Sequence, residues 1–343
     1  MLSLNSRNET WSDIDRLRVD RNREVDFFSE QLVHADSNVF IYGPRGVGKT
    51  FLSKLICQHI QAKNSHALPF FVSLFDIFIT STKESAPHIK AQILLQLVAA
   101  AWTNLIKKSY SELIKGAELK GRDILANSVE ERYYQIYSAL RLSFLKRTFQ
   151  RETKAGISAI AKGELGETTT VEQQNSDLLP FEYFAFLEEF QSELKKNHGI
   201  TKLIAICDEA NLLPLEMQSA LIKENIPIFR DKGLQFLFVG CGAPDELSLA
   251  AEECFEVIEE LNGIPENFIQ EFYQKRSGIG KLSIEKNAST LLHKTTEGNP
   301  RQLLMVLSEL ITTKVLENHN INHVTLSPAL KRFEERRVKW LRP

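Results

Sequence analysis

The chain has 343 residues, of which 43% are hydrophobic and 25% charged, and its formal net charge is −2. This balance is typical of a globular protein and argues against a bulk nucleic-acid binder. No apolar run approaches the length of a membrane span, so we expect no membrane segment. The cysteines, Cys57, Cys207, Cys241 and Cys254, lack metal-type spacing and predict reduced thiols in a cytoplasmic protein.

A glycine-rich loop follows the first predicted strand. The run Asn38–Tyr42 is apolar and rich in β-branched and aromatic residues, and the sequence GPRGVGKT follows it, before apolar residues at helical spacing. Strand, glycine loop and helix together bind phosphate through backbone N–H groups and the positive end of the helix dipole. We therefore expect Lys49 to reach the β- and γ-phosphates and Thr50 to be a ligand of Mg²⁺. The residues expected at the nucleotide are Gly43, Pro44, Arg45, Gly46, Val47, Gly48, Lys49, Thr50 and Phe51.

A long insertion separates the second and third predicted strands. The second strand is predicted at Pro69–Phe75, and an insertion at about residues 85–178 is expected to contain helices and a hairpin. A helix is predicted at Phe181–Lys196. The stretch Arg141–Lys162 and the C-terminal tail are basic, and either is a solvated helix face or a nucleic-acid contact.

The third predicted strand ends in two acidic residues. The run Leu203–Cys207 is apolar on both faces, as in a central parallel strand, and Asp208 and Glu209 follow it. Ligands of open α/β sheets bind at this carboxyl end. We expect Asp208 to hold Mg²⁺ together with Thr50, and Glu209 to polarise the attacking water.

The remaining elements predict a sheet followed by a helical lid. Strands are predicted from Leu234 and at Cys254–Leu261, and the pattern becomes helical from about Ile264. In the lid, Gly298 is expected to end one helix, while Asn299 caps the next and Pro300 takes its first position. Arg301 then lies in the first turn. The predicted fold is α/β, a doubly wound parallel five-stranded P-loop NTPase sheet, with a core at residues 1–263 and a lid at 264–343.

These elements resemble, in their order and spacing, the AAA+ ATPases. The nearest branch contains the origin-recognition-type initiators, the archaeal-type ATPases and the related STAND NTPases. GPRGVGKT is similar to the Walker A motif, LIAICDEA to Walker B, FLFVGCG to the sensor 1 strand and GNPRQLL to sensor 2. The run Val19–Leu32 is similar to the box that flanks the adenine base.

The resemblance implies roles for individual residues. Arg301 would be the sensor 2 arginine, and Arg21 and Glu24 would match the spaced Arg and Glu of the adenine box. Cys241 stands where the family usually has a polar sensor 1 residue, and a thiol is a weak hydrogen-bond partner. The implied catalytic residues are therefore Glu209, Lys49, Arg301 and Cys241, with ATP and Mg²⁺ as the bound groups.

An arginine finger is not evident in the expected place. The segment Gly233–Gln274 contains no Lys or Arg, although many members of the family carry the finger on the helix after sensor 1. Arg230 and Lys232 are the nearest candidates, and both also suit a plain surface role. We therefore expect slow or partner-stimulated turnover.

The preferred interpretation is an ATP-hydrolysing AAA+ protein whose nucleotide state controls self-assembly and action on a partner protein. By resemblance, the partner would be an effector of a bacterial defence system or part of a mobile element. Two alternatives stay open: a DNA-binding regulator of transposition or replication, and a nucleotide-dependent scaffold that hardly turns over.

Overall fold

The structure, a computed structural model, describes most of the expected sheet and lid. The described residues are 14–74, 198–210, 226–240, 253–313 and 319–340, together with 93, 97, 187–188, 190–192, 194–196, 222–223 and 316. The chain divides into two compact units, one of Met1–Ile60 with Leu237–Pro343 and one of Gln61–Phe236. The predicted insertion lies outside the described residues except at Ile93 and Leu97.

Five strands form the sheet. They are β1 (Val39–Tyr42), β2 (Ala67–Ser73), β3 (Lys202–Asp208), β4 (Leu234–Val239) and β5 (Val257–Glu260). Their order is β2-β3-β4-β1-β5, with the pairings of β1 to β4, β1 to β5 and β2 to β3 all parallel. The predicted α/β fold with a parallel five-stranded sheet is confirmed.

In the first unit, β1 lies between two neighbouring strands. Val39 is in register with Leu237 of β4 and with Val257 of β5. Burial on both faces explains why β1 is a continuous apolar run. The helices before the lid are α1 (Ile14–Leu17), α2 (Asn22–Val33) and α3 (Lys49–Lys63), and α3 starts directly at the end of the glycine loop.

In its described residues, 264–313, 316 and 319–340, the lid has four helices around an apolar core. They are α5 (Ile269–Ser277), α6 (Lys286–Thr296), α7 (Pro300–Thr312) and α8 (His323–Trp340), and a short 3₁₀ turn at Glu266–Phe268 precedes α5. The core is apolar and includes the buried Tyr273, whose hydroxyl donates to the carbonyl of Leu303 at 3.0 Å. The lid is not wholly helical, because β6 (Ser283–Ile284) and β7 (Asn320–Ile321) pair in parallel.

In the second unit, β2 and β3 pair along their full length. Their register runs from Ala67 opposite Lys202 to Ser73 opposite Asp208. The described part of the helix predicted before β3 is helical, and its buried residues Leu187, Phe190 and Leu194 follow helical spacing. Helix α4 (Ile226–Asp231) precedes β4.

Candidate functional site

The glycine loop has a backbone conformation that residues with a Cβ rarely adopt. Gly46 has φ of +89°, and a Cβ added there would lie 2.7 Å from the Cβ of Arg301. Both the left-handed φ and this close approach require glycine. Gly46 therefore fixes how near the first turn of α7 can come to the loop.

Lys49 is held inside the loop by the loop itself. It is the first residue of α3 and is only 8% exposed. Its ammonium donates to the carbonyls of Gly43 and Pro44 at 2.8 and 2.9 Å. These bonds satisfy a buried charge, which would otherwise be costly. The ammonium is thus already in the position from which it can reach a phosphate in the loop.

Asn299 connects the lid to the loop. Its side-chain oxygen accepts from the N–H groups of Arg301 and Gln302, as an N-cap should, and its amide donates to the carbonyl of Arg45 at 3.1 Å. The N–H of Arg301 also donates to the carbonyl of Gly46 at 3.3 Å. The predicted cap is confirmed, and Asn299 also forms a hydrogen bond to the phosphate loop.

These bonds orient the peptides of the loop. In a trans peptide the N–H points opposite to the carbonyl. The carbonyls of Pro44 and Arg45 are engaged by Lys49 and Asn299. The N–H groups of Arg45 and Gly46 are therefore directed away from those two partners.

The side chain of Arg301 lies beside the phosphate loop. Its side chain is exposed, and its stem passes Gly46, since the Cβ and Cδ of Arg301 are the atoms nearest to a Cβ built there. Because α7 begins at Pro300, the guanidinium projects from the first helical turn. This placement suits a contact with a phosphate bound in the loop.

A second lid residue contacts the start of α3. The guanidinium of Arg276, on α5, lies 5.7 Å from the ring centroid of Phe51 and 5.5 Å from that of Phe272. Phe51 directly follows Thr50, so this cation–π contact ties α5 to the helix that begins at the phosphate loop. Nothing in the local sequence pattern singles out Arg276.

Arg21 has protein partners at both ends of its guanidinium. The side chain is 6% exposed, and it donates to Glu24 at 2.6 Å and to the carbonyl of Asn262 at 2.7 Å. The contact between Arg21 and a base stays a prediction. The structure adds a bond to Asn262 that spacing alone could not reveal.

The acidic pair lies in the second unit, at the end of β3. Asp208 is 5% exposed, and its carboxylate accepts from the N–H of Glu209 at 2.9 Å. Glu209 has φ of 63°, a left-handed conformation that is strained for a residue with a Cβ. Strain of this kind collects at functional sites, although the metal role of Asp208 and Thr50 stays a prediction.

Some predicted residues are not tested by this geometry. Cys241 and the basic stretch Arg141–Lys162 lie outside the described residues. Of the two finger candidates, Arg230 is exposed, and Lys232 pairs with Glu188. In the basic tail, Arg336 pairs at 2.5 Å with Glu309, which is 3% exposed in the lid. That arginine therefore stabilises a buried carboxylate.

The described residues contain neither a membrane-spanning helix nor a cluster of metal-binding side chains. Among the helices that the structure describes, none has both the length and the apolar character needed to cross a bilayer. Within the same residues, no cluster of three or more His, Cys, Asp or Glu could hold a metal ion.

Comparison with known proteins supports the fold. Residues 26–144, which contain the phosphate loop, match the family model described as Nephrocystin 3, N-terminal. No curated protein matches the sequence.

Solved structures show distant likeness. The Walker-type ATPase PABY2304 of Pyrococcus abyssi is 13% identical over 93% of this chain and 72% of its own, with a TM-score of 0.47. The Aeropyrum pernix ORC1 protein, solved in complex with DNA, is 13% identical over 95% and 68%, with a TM-score of 0.46. Domain III of the Thermotoga maritima replication initiation protein DnaA is 12% identical over 93% and 95%, with a TM-score of 0.43.

The strand order β2-β3-β4-β1-β5 places β3 and β4 between β2 and the strand that carries the phosphate loop. Together with the glycine loop, this order shows a parallel α/β P-loop fold, and the family model over residues 26–144 is consistent with the resemblance to the AAA+ and STAND-like ATPases.

Proposed function

We propose that the protein binds and hydrolyses ATP, and that its nucleotide state controls self-assembly and action on a partner protein. The observation that carries the proposal is the direct hydrogen bonding of the first turn of α7 to the phosphate loop, through Asn299 and Arg301. A ligand that fills the loop must change or reinforce these bonds. The lid can therefore respond to what the loop holds.

Binding would use the loop and the start of α3. The N–H groups of Arg45 and Gly46 would donate to phosphate oxygens, and the dipole of α3 would favour their charge. Lys49 would exchange the carbonyls of Gly43 and Pro44 for the β- and γ-phosphates. The hydroxyl of Thr50 and the carboxylate of Asp208 would hold Mg²⁺.

Hydrolysis would use the acidic pair and the lid arginine. Glu209 would accept a hydrogen bond from a water and so orient it for attack on the γ-phosphorus. Arg301 would stabilise charge on the transferred phosphoryl group, and Cys241 would be a weak partner for the water. When bound, Mg²⁺ neutralises part of the phosphate charge. We assign no arginine finger, which suits slow or partner-stimulated turnover.

The switch would act through the lid. Loss of the γ-phosphate removes the anion that Arg301 faces, so the first turn of α7 would bind the loop less strongly after hydrolysis. The resemblance to STAND-like and origin-recognition ATPases favours a protein partner, such as an effector of a bacterial defence system or of a mobile element.

Nucleotide titrations and phosphate release test this function. We expect Lys49→Ala to lower ATP affinity by about a hundredfold, since it removes charge-assisted bonds to phosphate. Lys63→Ala, at the other end of α3, is the matched control and should bind ATP like the parent protein. Glu209→Gln should retain binding and release phosphate at least about a hundredfold more slowly. Equal phosphate release by Glu209→Gln and the parent protein would contradict the catalytic assignment.

A further inference from the structure

Arg21 links the start of α2 to the segment that joins the sheet to the lid. We infer that Arg21 is a positioning residue: it holds this linker, residues 261–265, in the arrangement that sets α7 on the phosphate loop. The inference rests on the proposed function, because the linker matters only if the lid responds to nucleotide. It concerns a contact with the protein and not with a base.

The bond to the linker spans a large sequence distance. Arg21 precedes α2, and its Nη2 donates to the carbonyl of Asn262, 241 residues further along the chain, at 2.7 Å. Its Nη1 donates to Glu24 at 2.6 Å, which fixes the plane of the guanidinium. The arginine is 6% exposed, and both of its bonds are strengthened by its charge.

The linker is fixed to the turn before α7 by close backbone contact. The N–H of Ile264 donates to the carbonyl of Gly298 at 2.7 Å. A Cβ on Gly263 would lie 2.1 Å from the carbonyl oxygen of Glu297, and one on Gly298 would lie 2.1 Å from that of Ile264. Two backbones that touch in this way must move together. A shift of the linker is therefore transmitted to Gly298 and to Asn299 beside it.

One side of the linker lines a cavity. Leu261, Asn262, Gly263 and Pro265 form part of the wall of a cavity of about 410 Å³, which Phe27 and Phe28 of α2 also line. The linker therefore faces open space on this side. Leu261 and Ile264 are buried, and the N–H of Leu261 donates to the carbonyl of Tyr42 at 2.8 Å. The guanidinium of Arg21, which also lines the cavity, adds a hydrogen bond to Asn262 between them.

A continuous series of hydrogen bonds and backbone contacts connects Arg21 to the phosphate loop. It runs from Arg21 to Asn262, through the Ile264–Gly298 contact, and from Asn299 to the carbonyl of Arg45. Arg21 thus acts on the nucleotide site through other residues. Its loss should weaken binding of any nucleotide, whatever its base.

Hydrogen exchange of the nucleotide-free protein tests the structural step without any need for hydrolysis. In Arg21→Met, we expect the amides of Leu261 and Ile264 to exchange about tenfold faster, because a hydrogen bond to a charged group is lost. Arg21→Lys retains one donor and should give an intermediate rate. Arg23→Met removes an exposed arginine from the first turn of α2 and should leave the linker unchanged. If Arg21→Met does not fold, the comparison of Arg21→Lys with Arg23→Met decides the question.

Binding of ADP and GDP tests the functional step. A positioning role predicts that Arg21→Met lowers the affinity for both nucleotides by the same factor, up to about tenfold. A changed ratio of ADP to GDP affinity, with unchanged linker exchange, would overturn the inference in favour of a base contact. Unchanged exchange and unchanged affinity would overturn it as well. If the parent protein bound neither nucleotide, the proposed function would fail, whereas the exchange result would still report on the linker.

Discussion

The side-chain amide of Asn299 donates to the carbonyl of Arg45 at 3.1 Å, while its oxygen caps α7. One residue therefore both starts a lid helix and binds the phosphate loop. Because these two roles use different atoms of the same side chain, they can be separated by substitution.

Replacing Asn299 tests this division of roles. Asn299→Asp retains the cap acceptor but loses the donor and adds a negative charge beside the loop. We expect its stability to be near that of the parent protein and its ATP affinity to fall about tenfold. Asn299→Ala should lose about 1 kcal/mol of unfolding free energy as well. Denaturant melts and ATP titrations measure the two effects, and unaltered ATP binding by Asn299→Asp would contradict the bridging role.

The close approach of Gly46 to Arg301 predicts a steric effect on the lid. Gly46→Ala combines a left-handed φ of +89° with a Cβ 2.7 Å from the Cβ of Arg301. Gly278→Ala is the matched control, since its φ is +73° but nothing lies within 4 Å of its added Cβ. We expect Gly278→Ala to lose about 1–2 kcal/mol of unfolding free energy, because a residue with a Cβ is strained at this φ, and to bind ATP normally. Gly46→Ala should also lose ATP affinity. If Gly46→Ala and Gly278→Ala have similar ATP affinities, the close approach of Gly46 to Arg301 has no role in ATP binding.

The left-handed backbone of Glu209 predicts that this residue lowers the free energy of unfolding of the protein. Its φ of 63° strains any residue that has a Cβ. Glu209→Gly should therefore be more stable than Glu209→Ala by about 0.5–1 kcal/mol, since relief of strain exceeds the added entropy of the unfolded chain. Both variants should release phosphate at least about a hundredfold more slowly than the parent protein. If Glu209→Ala is as stable as Glu209→Gly, the strain is not present in solution.

The buried thiol of Cys57 predicts a loss of stability in alkali. Burial in α3 raises the pKa of Cys57 from 9.0 to about 12. Between these two values the unfolded chain releases this proton and the folded chain retains it. The free energy of unfolding should therefore be unaffected by Cys57 below pH about 9 and fall as the pH rises towards about 12. Urea melts across this range should show a shallower fall for Cys57→Ala, and an equal fall in both proteins would contradict the prediction.

Much of the sheet and the start of α7 could be predicted because local signals specify them. Strands β1 and β3 begin and end within one residue of the predicted apolar runs, and β4 begins at the predicted Leu234. Asn299 and Pro300 are strong start signals for a helix, and α7 begins at Pro300. At these positions propensity, burial and capping all favour the same structure.

Other parts lack a local signal. The pattern predicts β5 from Cys254, whereas the strand begins at Val257 and is an edge strand whose residues are half-buried or exposed. Strands β6 and β7 have two residues each, too few to show a period. The bonds Arg21–Asn262 and Asn299–Arg45 join residues 241 and 254 positions apart. Spacing along the chain therefore cannot reveal them.

Light scattering of Glu209→Gln tests the central claim, that bound nucleotide controls assembly. This variant should bind ATP and retain it, so its state is defined during the measurement. We predict a larger molar mass with Mg²⁺ and ATP than with ADP or without nucleotide, and no such increase for Lys49→Ala. The same molar mass under all three conditions, with ATP binding verified by titration, would contradict the account.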